Sequence, residues 1–467
     1  MSTTLATVLL VSELFGVLLA IDAVMRPRSP QGAIAWAVAL ISIPTVSIPL
    51  YLLFGRTRFR GYAESVREKE RQLDERMPDW YRRMATFAAQ LEPGLERIEA
   101  VAQRLTDVPF TAGNRVDLLV DAEATYGAML DAIGAAESYV LVQFYIVRDD
   151  RSGRSLRDAL IERARDGVRV CFLYDEIGSI KLPASYLDEM RRASIQVSGF
   201  RTTQGLRNRF QINSRNHRKL LVVDGRMGFI GGLNLGDEYL GFRDTHLRIE
   251  GPATQQIQLT FRKDWHWATR DIIAIAEQPI VAAEPGRAVT IVNTGPADPV
   301  PKCSILFSEL VASARSRIWI ASPYFVPDDV MARALQSAAK RGVDVRVLLP
   351  DEPDQRFVEL ASLTYYTEMI GCGVRLFRYK GRFMHHKVVL VDDALAAVGT
   401  VNLDYRSLYL NFEETAVIAD PQFARRVEAM LVDDLVHCSE ILPGHFENEP
   451  LHIRVLARVA RLASPLL

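Results

Sequence analysis

Cysteine is scarce in this chain. Its 467 residues hold four, Cys171, Cys303, Cys372 and Cys438, far apart and with no C-x-x-C pair. Such spacing argues against a disulfide framework or a cysteine zinc site, reads all four as small core residues, and makes a reducing compartment the default. An excess of positive charge is also missing: 56 Lys and Arg stand against 57 Asp and Glu. That balance argues against a general nucleic-acid binder working through a basic surface.

What the amino terminus lacks is polarity. Residues 4–24 are nearly all apolar apart from Glu13 and Asp22, and residues 33–54 carry no charge. Each run is long enough to cross a hydrocarbon core as a helix, so residues 1–58 are expected to form a transmembrane hairpin. The first run has neither the positive leader nor the cleavage site of a signal peptide. Arg26 and Arg28 lie between the runs, whereas Arg56, Arg58, Arg60, Arg67, Lys69 and Arg71 follow the second. The larger basic cluster predicts a multi-pass membrane protein with the rest of the chain on the cytoplasmic side. Glu13 is costly in lipid unless it is paired.

The length suggests two or three domains. Residues 59–110, rich in Glu and Arg with Trp80, Tyr81 and Phe87 interspersed, read as a juxtamembrane amphipathic helical segment. A repeat then dominates the chain. "SYVLVQFYIVRDD", "SLRDALIERARDG" and "VRVCFLYDE" read as strand, helix and strand, and "SRIWIASPYFVPDD", "VMARALQSAAKRG" and "VDVRVLLPDE" do so again. Gly167 and Gly342 stand where helices end. The fold class is therefore α/β, with mixed, mostly parallel sheets covered by helices. One repeat is expected over 111–277 and the other over 302–443, with a Pro/Gly-containing linker at 278–301. In the last segment, 444–467, Arg454, Arg458 and Arg461 stand at helical spacing beside Val455, Val459 and Leu462. It reads equally as a basic helix on anionic lipid and as a packed helix with a solvated edge.

Each repeat reaches the pattern H-x-K-x-x-x-x-D, first as His217, Lys219, Asp224 and again as His385, Lys387, Asp392. On a strand, His and Lys two apart share a face and the Asp points away; the Asp is thus expected at the strand end or its turn. Spacing selects His385 rather than His386. After six intervening residues beyond each Asp come "GGLN" and "GTVN", giving small residues for close backbone approach and the amides of Asn234 and Asn402. Two His, two Lys and two Asn form a donor-rich set without the carboxylate cluster that Mg²⁺ would want. Such a set suits a tetrahedral oxyanion. One neutral imidazole can attack phosphorus, a protonated one can serve the leaving oxygen, and Lys and Asn can hold the non-bridging oxygens.

The doubled motif resembles the phospholipase D superfamily. The flanks "NRFQINSRNHRKLLVVDGRMGFIGGLNLGDEY", "ASPYFVPDD" and "GTVNLDYRSLYLNFE" are similar to those of bacterial cardiolipin synthases, over nearly the whole chain. The resemblance implies two repeats packed as a pseudo-twofold unit with a shared active site, and a two-step displacement through a phosphohistidine without a cofactor or metal. It implies His217 as nucleophile and His385 as acid, with Asp244 and Glu413 orienting the imidazoles, although Glu414 is one step away. Phosphatidylglycerol and other anionic phospholipids, at a membrane and without nucleic acid, are the implied partners; cardiolipin and glycerol are the implied products. A phospholipase would differ only in using water as acceptor. A nuclease and an inactive membrane scaffold are the other readings. Thr400 and Val388 stand where the family commonly has Ser and a small hydroxyl residue, and Gly232 offers no hydroxyl at the position matching Thr400.

Overall fold

Strand pairing extends across both repeats. The computed structural model describes residues 3–25, 30–55, 61–65, 77–204, 213–273, 275 and 279–467. The first repeat contributes β1 (Thr111–Val120), β2 (Tyr139–Phe144), β3 (Arg169–Asp175), β4 (Gln196–Phe200), β5 (Leu220–Val223), β6 (Met227–Gly231) and β7 (Thr245–Glu250). The second contributes β8 (Arg287–Thr294), β9 (Arg317–Ala321), β10 (Asp344–Pro350), β11 (Arg375–Tyr379), β12 (Val388–Val391), β13 (Leu395–Gly399), β14 (Glu413–Ala419) and β15 (Cys438–Glu440). Among the described residues these form one 15-stranded sheet, in the order β15-β11-β10-β9-β12-β13-β14-β8-β1-β7-β6-β5-β2-β3-β4.

The order is symmetric about the antiparallel β1–β8 pair, where Thr111 faces Val289 and Asn114 faces Arg287. The centre of the sheet therefore includes part of the stretch expected as a linker. Pro and Gly flank this stretch, yet "RAVTIVNT" within it has a largely buried strand pattern and bonds β14 on its other side. The sheet is mixed, as expected, but not mostly parallel. Only β2–β3–β4 and β9–β10–β11 run parallel. The other ladders are antiparallel; β5 joins β6, and β12 joins β13, through turns too short for a crossover.

The expected strand–helix–strand units are present. Helices Arg151–Arg165 and Asp329–Lys340 begin at Asp150 and Asp328, whose side chains accept from the amides of Gly153 (3.0 Å) and Met331 (2.7 Å). Gly167 and Gly342 follow these helices at φ of 90° and 89°, a conformation glycine adopts freely. Buried Val140, Val142, Phe172 and Leu221 belong to the apolar core of the first repeat, and Ile318, Ile320, Val347 and Val389 to that of the second.

The segment 59–110 departs from the reading of a layer between membrane and body. Helix Glu96–Thr106 buries Ile98, Ala102 and Leu105 in the second core, and Ala89 N–H donates to the Phe110 carbonyl at 2.8 Å. Residues 66–76 lie outside the described part. Helix Leu451–Leu462 buries Ala457 and Ala460 in the same core and leaves Leu451, Val455, Val459 and Leu462 exposed.

The amino-terminal unit consists of helix Thr3–Met25, helix Pro30–Ser42, helix Pro44–Leu50 and a π-helical turn at Tyr51–Gly55. Leu19, Ala20, Ala23, Leu40 and Tyr51 pack together, and the Tyr51 hydroxyl donates to Asp22 at 3.1 Å. Leu10, Val11, Leu14, Leu18 and Ile21 remain exposed on the first helix, and Ile34, Val38 and Ile41 on the second. The second apolar run is not the continuous helix expected. It breaks at Ile43, where Pro44 begins a new helix without an N–H to continue the old one. Among the described residues no helix is long and apolar enough to cross a membrane.

Candidate active site

The two H-x-K segments enter from opposite repeats, and each is held by the other repeat. Asn216 bridges Phe412 in parallel, and the His217 amide donates to the Phe412 carbonyl at 2.9 Å. Phe383–Met384 pairs in parallel with Phe242–Arg243, and the His385 amide donates to the Arg243 carbonyl at 2.8 Å. The residue after each of those partners is an acid: Glu413 follows Phe412 and Asp244 follows Arg243. The consequence is an exchange between repeats. His217 Nδ1 lies 2.9 Å from Glu413 Oε2, and His385 Nδ1 lies 2.6 Å from Asp244 Oδ2.

Both carboxylates are fully buried. Glu413 Oε2 also accepts from the Thr400 hydroxyl at 2.5 Å, and Oε1 accepts from Asn411 Nδ2 at 3.2 Å. Thr400 thus has a use for its hydroxyl. At the matching position Gly232 has no room for a side chain, since a Cβ there would stand 2.2 Å from Asp244 Oδ1. Glu414, the alternative partner, points the other way; burial raises its carboxyl to about 8, against the opposing influence of Arg218. A carboxylate that accepts from Nδ1–H fixes the tautomer in which Nε2 carries the lone pair.

Lys219 and Lys387 are buried beside these rings. Each ammonium donates to the carbonyl of the His two residues before it, Lys219 to His217 at 2.6 Å and Lys387 to His385 at 2.5 Å. An ammonium has three donors, so each lysine retains hydrogen-bonding capacity beyond that contact. Burial lowers His217 to about 4, helped by the lysines and opposed by Glu413. Burial and then Lys387 lower His385 to about 3, against Asp244. Burial brings Lys387 down to about 8 and Lys219 well below its ordinary value. Burial alone would raise Glu413 and Asp244, but the adjoining imidazoles and lysines outweigh it and hold both ionised. Below about pH 8 the resting site thus has neutral imidazoles beside the Lys387 ammonium, an arrangement that receives an anion and gains from its charge.

Asn234 and Asn402 are both buried. Asn234 Oδ1 accepts from the Ile146 amide at 3.1 Å, and Asn402 Oδ1 is buried with no protein partner. Asp224 and Asp392 are not brought to the imidazoles. Asp224, at φ 52°, accepts from the amides of Glu137, Ser138 and Tyr139, each at 2.8 Å. Asp392, at φ 50°, does the same for Arg315, Ser316 and Arg317. They tie the ends of β5 and β12 to the starts of β2 and β9. Among the described residues no three His, Cys, Asp or Glu are grouped to hold a metal ion.

A second layer of contacts escaped the sequence reading. Arg218, between His217 and Lys219, points to the opposite face and binds Asp264 through Nη1 at 2.7 and 2.8 Å. Asp264 also accepts from Gln143 and Asn216. At the matching place, His386 Nδ1 lies 2.5 Å from the Thr245 hydroxyl, and its Nε2 lies 3.2 Å from Asp434. Asp434 also accepts from Arg243 at 2.6 Å. The available signal was the repeat itself: an acid recurs 20 residues after Asp244 and 21 after Glu413 (264 − 244 and 434 − 413).

A family model described as "Cardiolipin synthase, PLD-like domain" matches residues 129–265 and 307–435, and one described as "Phospholipase_D-nuclease N-terminal" matches 14–56. Among curated relatives, "Cardiolipin synthase A" of Pseudomonas aeruginosa PAO1 is 46% identical over all of this chain and 97% of its own length. The protein of that name from Pseudomonas putida W619 is 43% identical over 97% of each. Of solved structures, the phosphatidylserine synthase of Haemophilus influenzae Rd KW20 superposes with a TM-score of 0.61 at 14% identity, over 79% of this chain and 100% of that one. At that identity the likeness concerns the fold. With the family model matching both repeats and relatives aligned end to end, this chain belongs to the cardiolipin synthases with phospholipase D-like domains.

Proposed function

We propose that this phosphatidyltransferase moves a phosphatidyl group from one phosphatidylglycerol to another, forming cardiolipin and releasing glycerol. The observation that carries the reading is the reciprocal pair of imidazole–carboxylate contacts, His217 with Glu413 and His385 with Asp244, beside the buried Lys219 and Lys387.

Once bound, the phosphodiester anion favours a protonated His385, which takes up a proton from solvent at Nε2. In the first step Nε2 of His217 attacks phosphorus, the bond from phosphorus to the glycerol oxygen breaks, and His385 gives that oxygen this proton. The phosphatidyl group is then bound to His217, whose imidazole has become cationic and is stabilised by Glu413. In the second step a glycerol hydroxyl of the acceptor loses its proton to His385 and attacks phosphorus. The P–N bond breaks and its electron pair returns to the imidazole. Lys219, Lys387, Asn234 and Asn402 hold the non-bridging oxygens as charge moves.

The amino-terminal hairpin supports a lipid setting. Its large apolar side chains face outward, which is costly in water and favourable in hydrocarbon. We infer that it enters the cytoplasmic membrane, with the basic residues after Gly55 holding the catalytic body on the cytoplasmic side.

The test is to give the detergent-solubilised protein phosphatidylglycerol labelled in its headgroup and separate the products. Cardiolipin with free labelled glycerol is expected, and His217→Ala or His385→Ala abolishes both. Phosphatidic acid as the sole lipid product would make water the acceptor and refute the transferase reading.

A further inference from the structure

The two carboxylates that serve the histidines are fixed by different means. Glu413 begins β14 and stands opposite Thr294 in the regular β14–β8 ladder. On the other side β1 pairs with β7 only as far as Val120 opposite Thr245, one residue short of Asp244. There Asp121 leaves the ladder at a φ of 69°, a left-handed conformation that costs any residue but glycine and that Asp and Asn tolerate best. Its carbonyl turns into the helix Asp121–Gly134 and accepts from the Thr125 hydroxyl at 2.9 Å. Its amide still donates to the Asp244 carbonyl at 2.9 Å. In return the Asp244 amide donates to Asp121 Oδ1 at 3.2 Å, so the side chain takes the place of the carbonyl that the turn removed.

The second oxygen of Asp121 reaches across the repeats. Oδ2 accepts from Arg382 Nη2 at 2.8 Å and from Arg243 Nη1 at 3.3 Å. Arg382 immediately precedes the short parallel pair of Phe383–Met384 with Phe242–Arg243, and Arg243 ends it. The next residue along one strand is His385 and along the other Asp244. One carboxylate therefore grips both strands of the pair beside the 2.6 Å contact between that imidazole and its acid. Arg243 is held on its far side by Asp434 at 2.6 Å, whereas Arg382 is exposed. Two-residue strands supply few ladder bonds of their own.

We propose that Asp121 is a positioning residue for the histidine that moves protons. It fixes the backbone of Asp244 within the first repeat and, through Arg382, the strand that brings His385 from the second, and so sets the distance between that acid and that imidazole. The proposal rests on the transferase reading above, in which His385 protonates the departing glycerol oxygen and then takes the proton of the acceptor. Ordinary strand geometry at Asp121 would place a backbone carbonyl opposite Asp244 and leave Arg382 and Arg243 unbridged, which accounts for the strained φ being kept. His217 does not depend on this clamp, because its carboxylate lies in a continuous ladder.

The experiment compares, for the full-length enzyme in mixed micelles, kcat on phosphatidylglycerol with the burst of phosphoryl-enzyme from a nitrophenyl phosphodiester. Asp121→Gly keeps the left-handed backbone and removes both side-chain contacts. Asp121→Asn keeps the acceptor for the Asp244 amide and loses the charge that holds the arginines. The glycerol leaving group needs a proton and nitrophenolate does not. Asp121→Gly is therefore expected to lower kcat on phosphatidylglycerol about 10-fold or more, while the burst changes by less than about 3-fold. Asp121→Asn recovers part of the loss. In a double-mutant cycle, Asp121→Gly and Asp244→Asn are expected to be non-additive, because one acts through the other. Equal losses with both substrates, or additive losses in the cycle, overturn the positioning role and leave the transferase reading standing. If Asp121→Gly does not fold, Asp121→Asn and Arg382→Gln carry the comparison, with smaller losses of the same pattern expected. A wild-type enzyme that forms no cardiolipin overturns the transferase reading and this proposal with it.

Discussion

Replacing Glu413 by Gln tests the central contact with little change in shape. Glu413 Oε2 accepts from both His217 Nδ1 and the Thr400 hydroxyl, so the carbonyl oxygen of Gln fits there and its NH₂ turns toward Asn411. Asn411 can flip to receive it, because its own Oδ1 is buried without a partner. The tautomer of His217 survives and only the negative charge is lost. That charge matters most when phosphorus is bound to the imidazole and the ring is cationic. A charge-assisted hydrogen bond of this kind contributes about 1.5–3 kcal/mol, or roughly 10- to 150-fold in the rate of forming the intermediate. The acid limb also moves. Glu413 raises a His217 value that burial lowers to about 4, so removing it lowers that value further and the neutral imidazole persists to lower pH. The assay is a rapid-quench measurement of phosphatidyl-enzyme across pH, using a phosphodiester whose nitrophenol leaving group needs no proton. With that substrate Asp244→Asn, which acts on His385, retains more of the burst than Glu413→Gln. An unchanged burst in Glu413→Gln, an acid limb displaced upward, or the reverse ranking of the two variants would refute the assignment of His217 as nucleophile.

Four further outcomes are expected. Turnover falls as pH rises through about 8, where Lys387 loses its proton, and Lys387→Arg moves that limb upward in the pH–rate profile. Gly232→Ala drives a methyl group into Asp244 and lowers kcat by about 10-fold or more by displacing the carboxylate from His385, while thermal unfolding changes little. Asp224→Ala leaves three backbone amides without their acceptor and costs about 2–5 kcal/mol in urea unfolding; a loss of turnover without loss of stability would contradict its structural placement. Leu14→Asp with Leu18→Asp, on the exposed face of the first helix, shifts the protein out of the carbonate-resistant membrane fraction; full retention there would count against insertion of that face.

How much of this could be read from the residues depended on whether a signal was local. The His and Lys of each motif were legible because a two-residue spacing on a strand sets one face, and because the pattern occurs twice. Gly167 and Gly342 were legible as helix ends for an equally local reason, their φ. β8 was not, since its identity as a strand comes from pairing with β1 and β14 at large sequence separation, and Pro and Gly flank it. Asp244 and Glu413 were found, but not their crossing to the opposite histidines, because spacing within a repeat says nothing about which repeat supplies the neighbouring strand. The parallel contacts Asn216–Phe412 and Phe383–Phe242 decide that. The break at Pro44 was written in the sequence as a residue without an N–H, but was outweighed by the length of the apolar run around it.

The crossed carboxylates have a consequence for how the enzyme fails. Neither half of the chain holds both a motif histidine and the carboxylate on its Nδ1, and the two halves meet along the β1–β8 ladder and the short strands that carry the histidines. Separation of the halves by a small hinge motion, with each core intact, would strip both histidines of their acids in the same event. Inactivation by heat or denaturant should therefore precede the loss of secondary structure and be all-or-none for the two histidines. The same dependence confines carboxylate-paired motif histidines to molecules whose halves are fully docked, so a partly opened chain lacks both pairs.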